Sequence, residues 1–315
     1  VMGLVGIVIA TIMFVVFGYI IMDLGKRFHS RSHEEIIRYS SGRILGTLID
    51  FIITFFLFGS FTAMVAGTGA LFNQQLNLPS SVGNILMAVI TASTVMTGIT
   101  GVINSISIVV PFLLTVVIST SIISFFNSPL DVNDAVLNAG ENLLISNWFM
   151  AAILYASYNI IISVAVLGPL GSEAKDNSSI RNGAVLGGLG LGLSAIMIYL
   201  ALSWNITEIA HFEVPMLIIA GRISYTAQIA YAVVLIAEIY TTAVGALYGF
   251  TSRITDIQSY PVKGRIFIVL ITIAALLASQ FGFSNIVRYL YPAVGYGGII
   301  MLVCLIISKL DNKNQ

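Results

Sequence analysis

Asn147-Trp148-Phe149-Met150-Ala151-Ala152-Ile153-Leu154-Tyr155-Ala156-Ser157-Tyr158-Asn159-Ile160-Ile161-Ile162-Ser163-Val164-Ala165-Val166-Leu167-Gly168-Pro169 is a run of 23 residues without one charged side chain. At 1.5 Å per residue a helix of this length crosses the roughly 30 Å hydrocarbon core of a bilayer. Its middle is polar: Tyr155, Ser157, Tyr158 and Asn159 fall together between two apolar arms. Short side chains such as Ser157 and Asn159 compete for backbone hydrogen bonds. In lipid, freed backbone groups are tolerated only where they line a cavity or are buried in protein. Two readings stay open. One is a packed helix whose Tyr, Ser and Asn bond to its neighbours. The other is a helix broken at this knot, offering N–H groups to a carboxylate and carbonyls to a cation.

Outward from this run, eight more apolar stretches lie near 1–23, 44–72, 82–101, 105–126, 183–205, 223–250, 266–281 and 286–308. They are continuous rather than alternating, which excludes a membrane β-barrel. Of all residues 57% are apolar and 9% charged, against about 25% charged in soluble domains. So little charge cannot cover a surface facing water, and the chain is read as an all-α polytopic membrane protein. Fourteen basic residues balance 14 acidic ones, and nothing in that balance points to nucleic acid. The single cysteine, Cys304, excludes an intrachain disulfide.

Loop charge sets orientation. With nine spans, one side collects 12 basic residues, among them Lys26, Arg27, Arg38, Arg43, Arg253 and Lys309, and the other only Arg222 and Arg288. Segment 24–43 and the C-terminus are therefore expected in the cytoplasm of a bacterial-type inner (plasma) membrane, and loop 127–146 outside. This places Val1 outside, already within an apolar run, so a preceding span is expected to be absent from the sequence. A repeat supports the same expectation. Shifted by about 180 residues, 1–23, 44–72, 82–101 and 105–126 fall on 183–205, 223–250, 266–281 and 286–308. Gly69-Ala70-Leu71-Phe72 echoes Gly245-Ala246-Leu247-Tyr248. Because 147–169 stands unpaired, the halves run in opposite directions, the inverted repeat common in secondary transporters. The single transporter domain, 1–315, then divides into the remainder of a first repeat (1–126) and a second repeat (147–308).

Glu238 is the deepest acid in the sequence. A carboxylate at mid-membrane costs roughly 2.5–3.5 kcal/mol on insertion scales, and no basic residue lies at similar depth. A proton or cation is favoured as its compensation, with Thr241 and Thr242 on or near the same face. The alternative is a protonated Glu238 bonded to a neighbouring helix. Asp50, about six residues into its span, suits a structural pair with Arg43 or Arg253. The small-residue run from Gly59 through Ser60 and Thr62 to Gly69, and the glycines 183–192, read as close helix packing; Ser60 and Thr62 also suit a patch facing a solute. Thr91 to Ser107 carries hydroxyls suited to bonding between helices. Pro111 and Pro292 are expected to kink their helices. His29, His33 and His211 read as residues of solvated loops, and no metal site is expected.

The spans resemble the YkvI-type membrane proteins, a family of amino-acid permeases in the amino acid–polyamine–organocation superfamily. The residues that carry the resemblance are Leu154-Tyr155-Ala156-Ser157-Tyr158-Asn159 with Val166-Leu167-Gly168, Ala66-Gly67-Thr68-Gly69-Ala70-Leu71-Phe72, and Glu238-Ile239-Tyr240-Thr241-Thr242. The resemblance implies a leucine-transporter-like five-plus-five fold in which the first helix is missing here. By span order 147–169 is then the sixth helix, unwound at Ser157 to Asn159, and 223–250 the eighth, with Thr241 and Thr242 as a sodium-site hydroxyl pair. Tyr155, Ser157, Tyr158, Asn159, Ser60 and Thr62 become the substrate residues, and Glu238, Thr241 and Thr242 the cation-binding or proton-coupling ones. The function implied is cation-coupled symport of an amino acid or related solute, with Na⁺ or H⁺ as coupling ion and no other cofactor. A non-transporting receptor on the same fold, as in spore germination, is the rival. An intramembrane enzyme needs paired acids, Ser/His or a metal cluster at depth, and the sequence offers none of these.

Overall fold

The computed structural model describes residues 2–127, 147–203, 209, 214–255 and 261–311. Its helices are α1 (Met2–Phe28), α2 (Glu34–Leu76), α3 (Ser80–Val95), α4 (Ile99–Asn127), α5 (Trp148–Ser172), α6 (Asn177–Ser203), α7 (Pro215–Ile223), α8 (Tyr225–Ile254), α9 (Pro261–Ala278) and α10 (Phe283–Asp311), with a 3₁₀ turn at Ser279–Phe281. Each of the nine apolar stretches holds one long helix among the described residues, except that the end of 82–101 crosses the corner into α4. Among the described residues, eight helical segments are long and apolar enough to span a bilayer. At 16 residues, α3 is shorter and reaches only about 24 Å. Residues 128–146, most of the loop expected outside, and His211 lie beyond the described residues.

Lipid-facing and buried faces separate along each helix. On α2, Ile44, Leu48, Phe51 and Phe55 recur every three or four residues and are exposed, while Ile49, Ile53, Phe56 and Leu57 are buried. An exposed apolar stripe with that period is a lipid contact. Inside, hydroxyls bond back along their own helix: Thr62 to the Phe58 carbonyl, Thr68 to Met64 and Thr251 to Leu247. In hydrocarbon that removes the cost of a bare polar group.

Two hairpins punctuate the chain alike. The α3–α4 corner breaks at Gly98 (φ 81°) and the α9–α10 corner at Gly282 (φ 84°). Both need the left-handed region that glycine enters without penalty. Each is followed by a helix of 29 residues with an internal proline, Pro111 in α4 and Pro292 in α10. The sequence reading placed the first break at 102–104. The glycine moves it to 96–98, because Gly98, and not the polar Asn104, permits the turn.

The largest correction concerns α5. The helix runs from Trp148 to Ser172 without interruption, so the expected unwinding at Ser157 to Asn159 is absent. The Ser157 hydroxyl donates to the Leu154 carbonyl (3.0 Å) and to Gly295 in α10 (2.8 Å), and the Asn159 amide donates to Tyr155 O (2.8 Å). These side chains bond to carbonyls the helix already presents, leaving the backbone ladder intact. With neither Gly nor Pro in the knot, nothing else breaks it.

α5 packs against α1, α10 and α8, and α1 also packs on α6. The α1–α5 crossing is close: a Cβ at Gly25 would collide with the Gly168 carbonyl, and one at Gly171 with the Met22 carbonyl. Backbone touches backbone there, which only the glycines allow. α8 is tied to α3 and α4 through Tyr240, whose hydroxyl lies 2.6 Å from Thr94 Oγ1 and 3.3 Å from Ser105 Oγ. Of the hydroxyl-rich stretch read as glue between helices, Thr94 and Ser105 act so, whereas Thr91, Ser93 and Thr97 bond back to Met87, Val89 and Thr94 of their own segment.

Charged side chains gather at one end of the bundle. There Arg253 of α8 grips Asp50 of α2 through Nε (2.7 Å to Oδ1) and Nη2 (2.7 Å to Oδ2). Its Nη1 reaches Glu34 (2.9 Å), and Glu34 also meets Arg38 (2.7 Å). Of the two arginines weighed for Asp50, Arg253 is the partner. His33 is a correction. It is fully buried, with Nε2 3.1 Å from Asp50 Oδ1; it stands just before α2 without a side-chain cap bond, and Gly42 (φ 69°) bends that helix so that Asp50 returns to it. Asp23 was not singled out in the sequence. It is buried and binds Lys309 at 2.6 Å, joining α1 to the end of α10. On the loop to α6, Asp176 accepts the Ser179 N–H at 2.6 Å. That bond holds its exposed carboxyl below the usual carboxylate range.

Candidate functional site

α5 has two polar faces with different duties. One turns Leu154, Ser157 and Ile161 into α10, where Gly295 and Gly298 leave room for them. The opposite face carries Tyr155, Asn159, Ser163 and Val166, recurring every three or four residues, and borders an open groove of about 420 Å³. Opposite them stand Thr241, Thr242 and Gly245 of α8, with Phe14, Gly18 and Met22 of α1 and Gly183, Gly187 and Gly188 of α6. The α6 glycines divide the same way: Gly188 packs on Val15 and Gly192 on Thr11, whereas Gly183 and Gly187 meet nothing within 4 Å. A groove of this size holds a small organic molecule.

Four of the sequence-derived site residues therefore meet: Tyr155 and Asn159 on one wall, Thr241 and Thr242 on the other. Glu238 lies one turn before this pair, on the same face of α8. It is exposed, within electrostatic reach of the Tyr155 and Tyr231 hydroxyls, and among the described residues it has no ion-pair or hydrogen-bond partner. Its backbone carbonyl accepts the Thr241 hydroxyl at 2.9 Å. The remaining four do not line the groove. Ser157 is fully buried against α10. Tyr158 sits behind Tyr155, its ring packed against Tyr155 (5.7 Å) and Tyr291 (5.1 Å). Ser60 and Thr62 are buried in α2, with Ser60 beside the Tyr291 hydroxyl. Among the described residues no three His, Cys, Asp or Glu side chains come close enough to hold a metal ion.

The sequence did not reveal two features of the groove. Phe14 forms an edge-to-face pair with Tyr155, centroids 5.7 Å apart, and Ser163 lines the wall two turns from Tyr155. The helical spacing 155, 159, 163 could have found Ser163; nothing local marks Phe14 among the apolar residues of α1.

Comparison with solved structures places this architecture. A crystal structure of MhsT in complex with L-phenylalanine superposes with a TM-score of 0.65, covering 95% of this chain and 80% of that one, at 18% identity. The fold is leucine-transporter-like. Two Bacillus subtilis proteins are similar in sequence over nearly the whole chain. The uncharacterized membrane protein YkvI is 26% identical over 314 residues, covering 99% of this chain and 88% of its own length. The uncharacterized protein YyaD is 28% identical over 308 residues, covering 98% and 88%. No family model matches. The chain is thus a multi-pass membrane protein with a transporter fold, and in that fold α5 and α8 face each other across the groove.

Proposed function

We propose that this protein is a secondary active transporter that couples a cation, Na⁺ or H⁺, to movement of an amino acid or related small organic solute by alternating access. The observation that carries the reading is the groove itself. In a transporter fold, two facing spans line one cavity with an amide, hydroxyls and a phenol, and a carboxylate without a counter-ion adjoins it. Polar and ionisable groups at membrane depth are costly and mark solute or ion pathways. Tyr155 and Asn159 act on the solute. Thr241, Thr242 and Glu238 act on the coupling ion: hydroxyl and carboxylate oxygens are hard donors suited to Na⁺, and a carboxylate alone serves H⁺.

The charge bias of the loops supports placing the protein in a bacterial plasma membrane with segment 24–43 and the C-terminus in the cytoplasm. The ion pairs Asp50–Arg253 and Asp23–Lys309 then close the cytoplasmic end of the bundle. Uptake of a radiolabelled amino-acid panel into proteoliposomes, with and without a Na⁺ or pH gradient, tests the reading. Accumulation that collapses with the gradient supports it. Saturable binding without flux shows a receptor instead.

A further inference from the structure

Among the described residues, His33 is an ionisable side chain that is fully buried with neither ring nitrogen in a hydrogen bond. Nδ1 has no partner. Nε2 lies 3.1 Å from Asp50 Oδ1 but off the line that a hydrogen bond needs. Buried polar groups are almost always hydrogen-bonded, and one that is not calls for a reason. A neutral ring gains nothing in this place. A protonated ring gains the attraction of the Asp50 carboxylate, which depends on distance rather than alignment.

The surroundings are short of positive charge. Asp50 and Glu34 of α2 and Arg253 of α8 form one ion-pair cluster beside the ring. Around the cluster opens a polar cavity of about 490 Å³, on whose wall Glu34 and Arg253 meet Glu35, Glu173, His29 and Arg31. With Arg38 on Glu34, the four carboxylates Asp50, Glu34, Glu35 and Glu173 face three guanidiniums, Arg253, Arg31 and Arg38. A proton on His33 makes the charges even. The loop that carries the ring is held in place. The Ser30 and Ser32 hydroxyls both donate to Glu35 (3.1 Å each), and Ile36 packs against Gly168 of α5.

We infer that His33 is a sensor of cytoplasmic pH: its protonation locks the α2–α8 ion-pair cluster and holds the cytoplasmic end of the bundle closed, and its deprotonation frees that end to open. The inference rests on the transporter reading only in taking this end as one that opens. The closed end keeps Asp50 against His33, whereas opening parts the cluster. The closed form therefore binds the proton more tightly, and closure is favoured as pH falls. Histidine ordinarily titrates between about pH 5 and pH 8, so acidification of the cytoplasm is the signal. A carrier built in this way slows when the cytoplasm turns acid.

Opening is read without any solute. Ser252 lines the cavity, and Ser252→Cys in a Cys304→Ser background of the full chain, held in nanodiscs, is labelled with a maleimide. Its rate is divided by that of the exposed Ser178→Cys at the same pH, which removes the titration of the thiol itself. The ratio should rise roughly threefold to tenfold from about pH 5.5 to about pH 8, tenfold being one unit of differential proton binding. His33→Gln should flatten the rise to within about twofold. Asp50→Asn, which removes the carboxylate that the proton answers to, should flatten it as well, and His29→Gln should leave it intact. A monodisperse peak on gel filtration shows that each variant is folded. A ratio that stays constant or falls as pH rises, or a rise that survives His33→Gln or Asp50→Asn, overturns the inference. Flux in proteoliposomes separates the two claims. Gradient-driven flux with a ratio indifferent to pH sinks the sensor and leaves the carrier. A ratio governed by His33 in a protein that moves no solute sinks the carrier and leaves the sensor.

Discussion

Replacing Arg253 by alanine should uncouple α8 from α2 and leave Asp50 stranded. The Asp50 side chain is 11% exposed and that of Arg253 25%. Three contacts of 2.7 to 2.9 Å join them. Removing one partner of a fully buried pair costs about 3–5 kcal/mol, mostly because the other charge is orphaned. Arg253 keeps some solvent, which screens the pair and lowers the figure to roughly 2–3 kcal/mol. At roughly 2–4 °C per kcal/mol for a chain of a few hundred residues, the melting temperature in detergent should fall by about 4–12 °C. His33, 3.1 Å from the same carboxylate, cannot replace a bidentate guanidinium that also binds Glu34. The penalty belongs to the orphaned charge, so Asp50→Asn added to Arg253→Ala should recover at least half of the loss. Melts of the wild type, both single variants and the double variant, run as a cycle, measure this directly. A double variant as unstable as the sum of the singles would refute the argument, because the two residues would then act independently.

Other outcomes follow from the packing and the groove. Gly171→Leu drives a side chain into the Met22 backbone of α1; a loss of about 1–3 kcal/mol is expected from overpacking, read as loss of the monodisperse peak on gel filtration. Tyr240→Phe removes the hydroxyl shared with Thr94 and Ser105 and should cost only about 0.6–1.7 kcal/mol, the scale of hydrogen bonds between membrane helices. Ser157→Ala deletes the bond to the Gly295 carbonyl and should lower thermal stability while leaving solute affinity unchanged, whereas Asn159→Ala should lower affinity with little change in stability. A single cysteine at Ser178 in a Cys304→Ser background should react with a membrane-impermeant maleimide only after the cytoplasmic face is opened.

The helices were legible because their causes are local. Apolar runs of about 20 residues with at most one charged side chain, bounded by polar punctuation, define spans whatever their neighbours do, and the 12-to-2 bias needs only a count. Corners were less legible, since Gly98 and Gly282 look like any other glycine until their φ is known. The fate of the Tyr155–Asn159 knot was illegible for a different reason. Ser157 either frees its helix or reinforces it according to whether a carbonyl such as Gly295 O stands opposite, and that carbonyl is 138 residues away. The same holds for His33, which looks solvated beside His29, Arg31 and Glu34 and is buried where Gly42 bends α2 so that Asp50 returns to it. Among the candidate site residues, helical spacing grouped Tyr155 with Asn159 and Glu238 with Thr241 and Thr242. It could not tell that Ser60 and Thr62 turn into α2's own packing, because that depends on where α10 lies.

Flux under an imposed gradient bears most directly on the account. The full chain is reconstituted into proteoliposomes, and uptake of labelled amino acids and amines is followed with an inward Na⁺ gradient, an inward H⁺ gradient, or neither. The account predicts concentrative uptake of at least one solute under one gradient, abolished by the matching ionophore and by Glu238→Gln. Uptake of no solute under either gradient, by protein that remains folded in the vesicles, would contradict it.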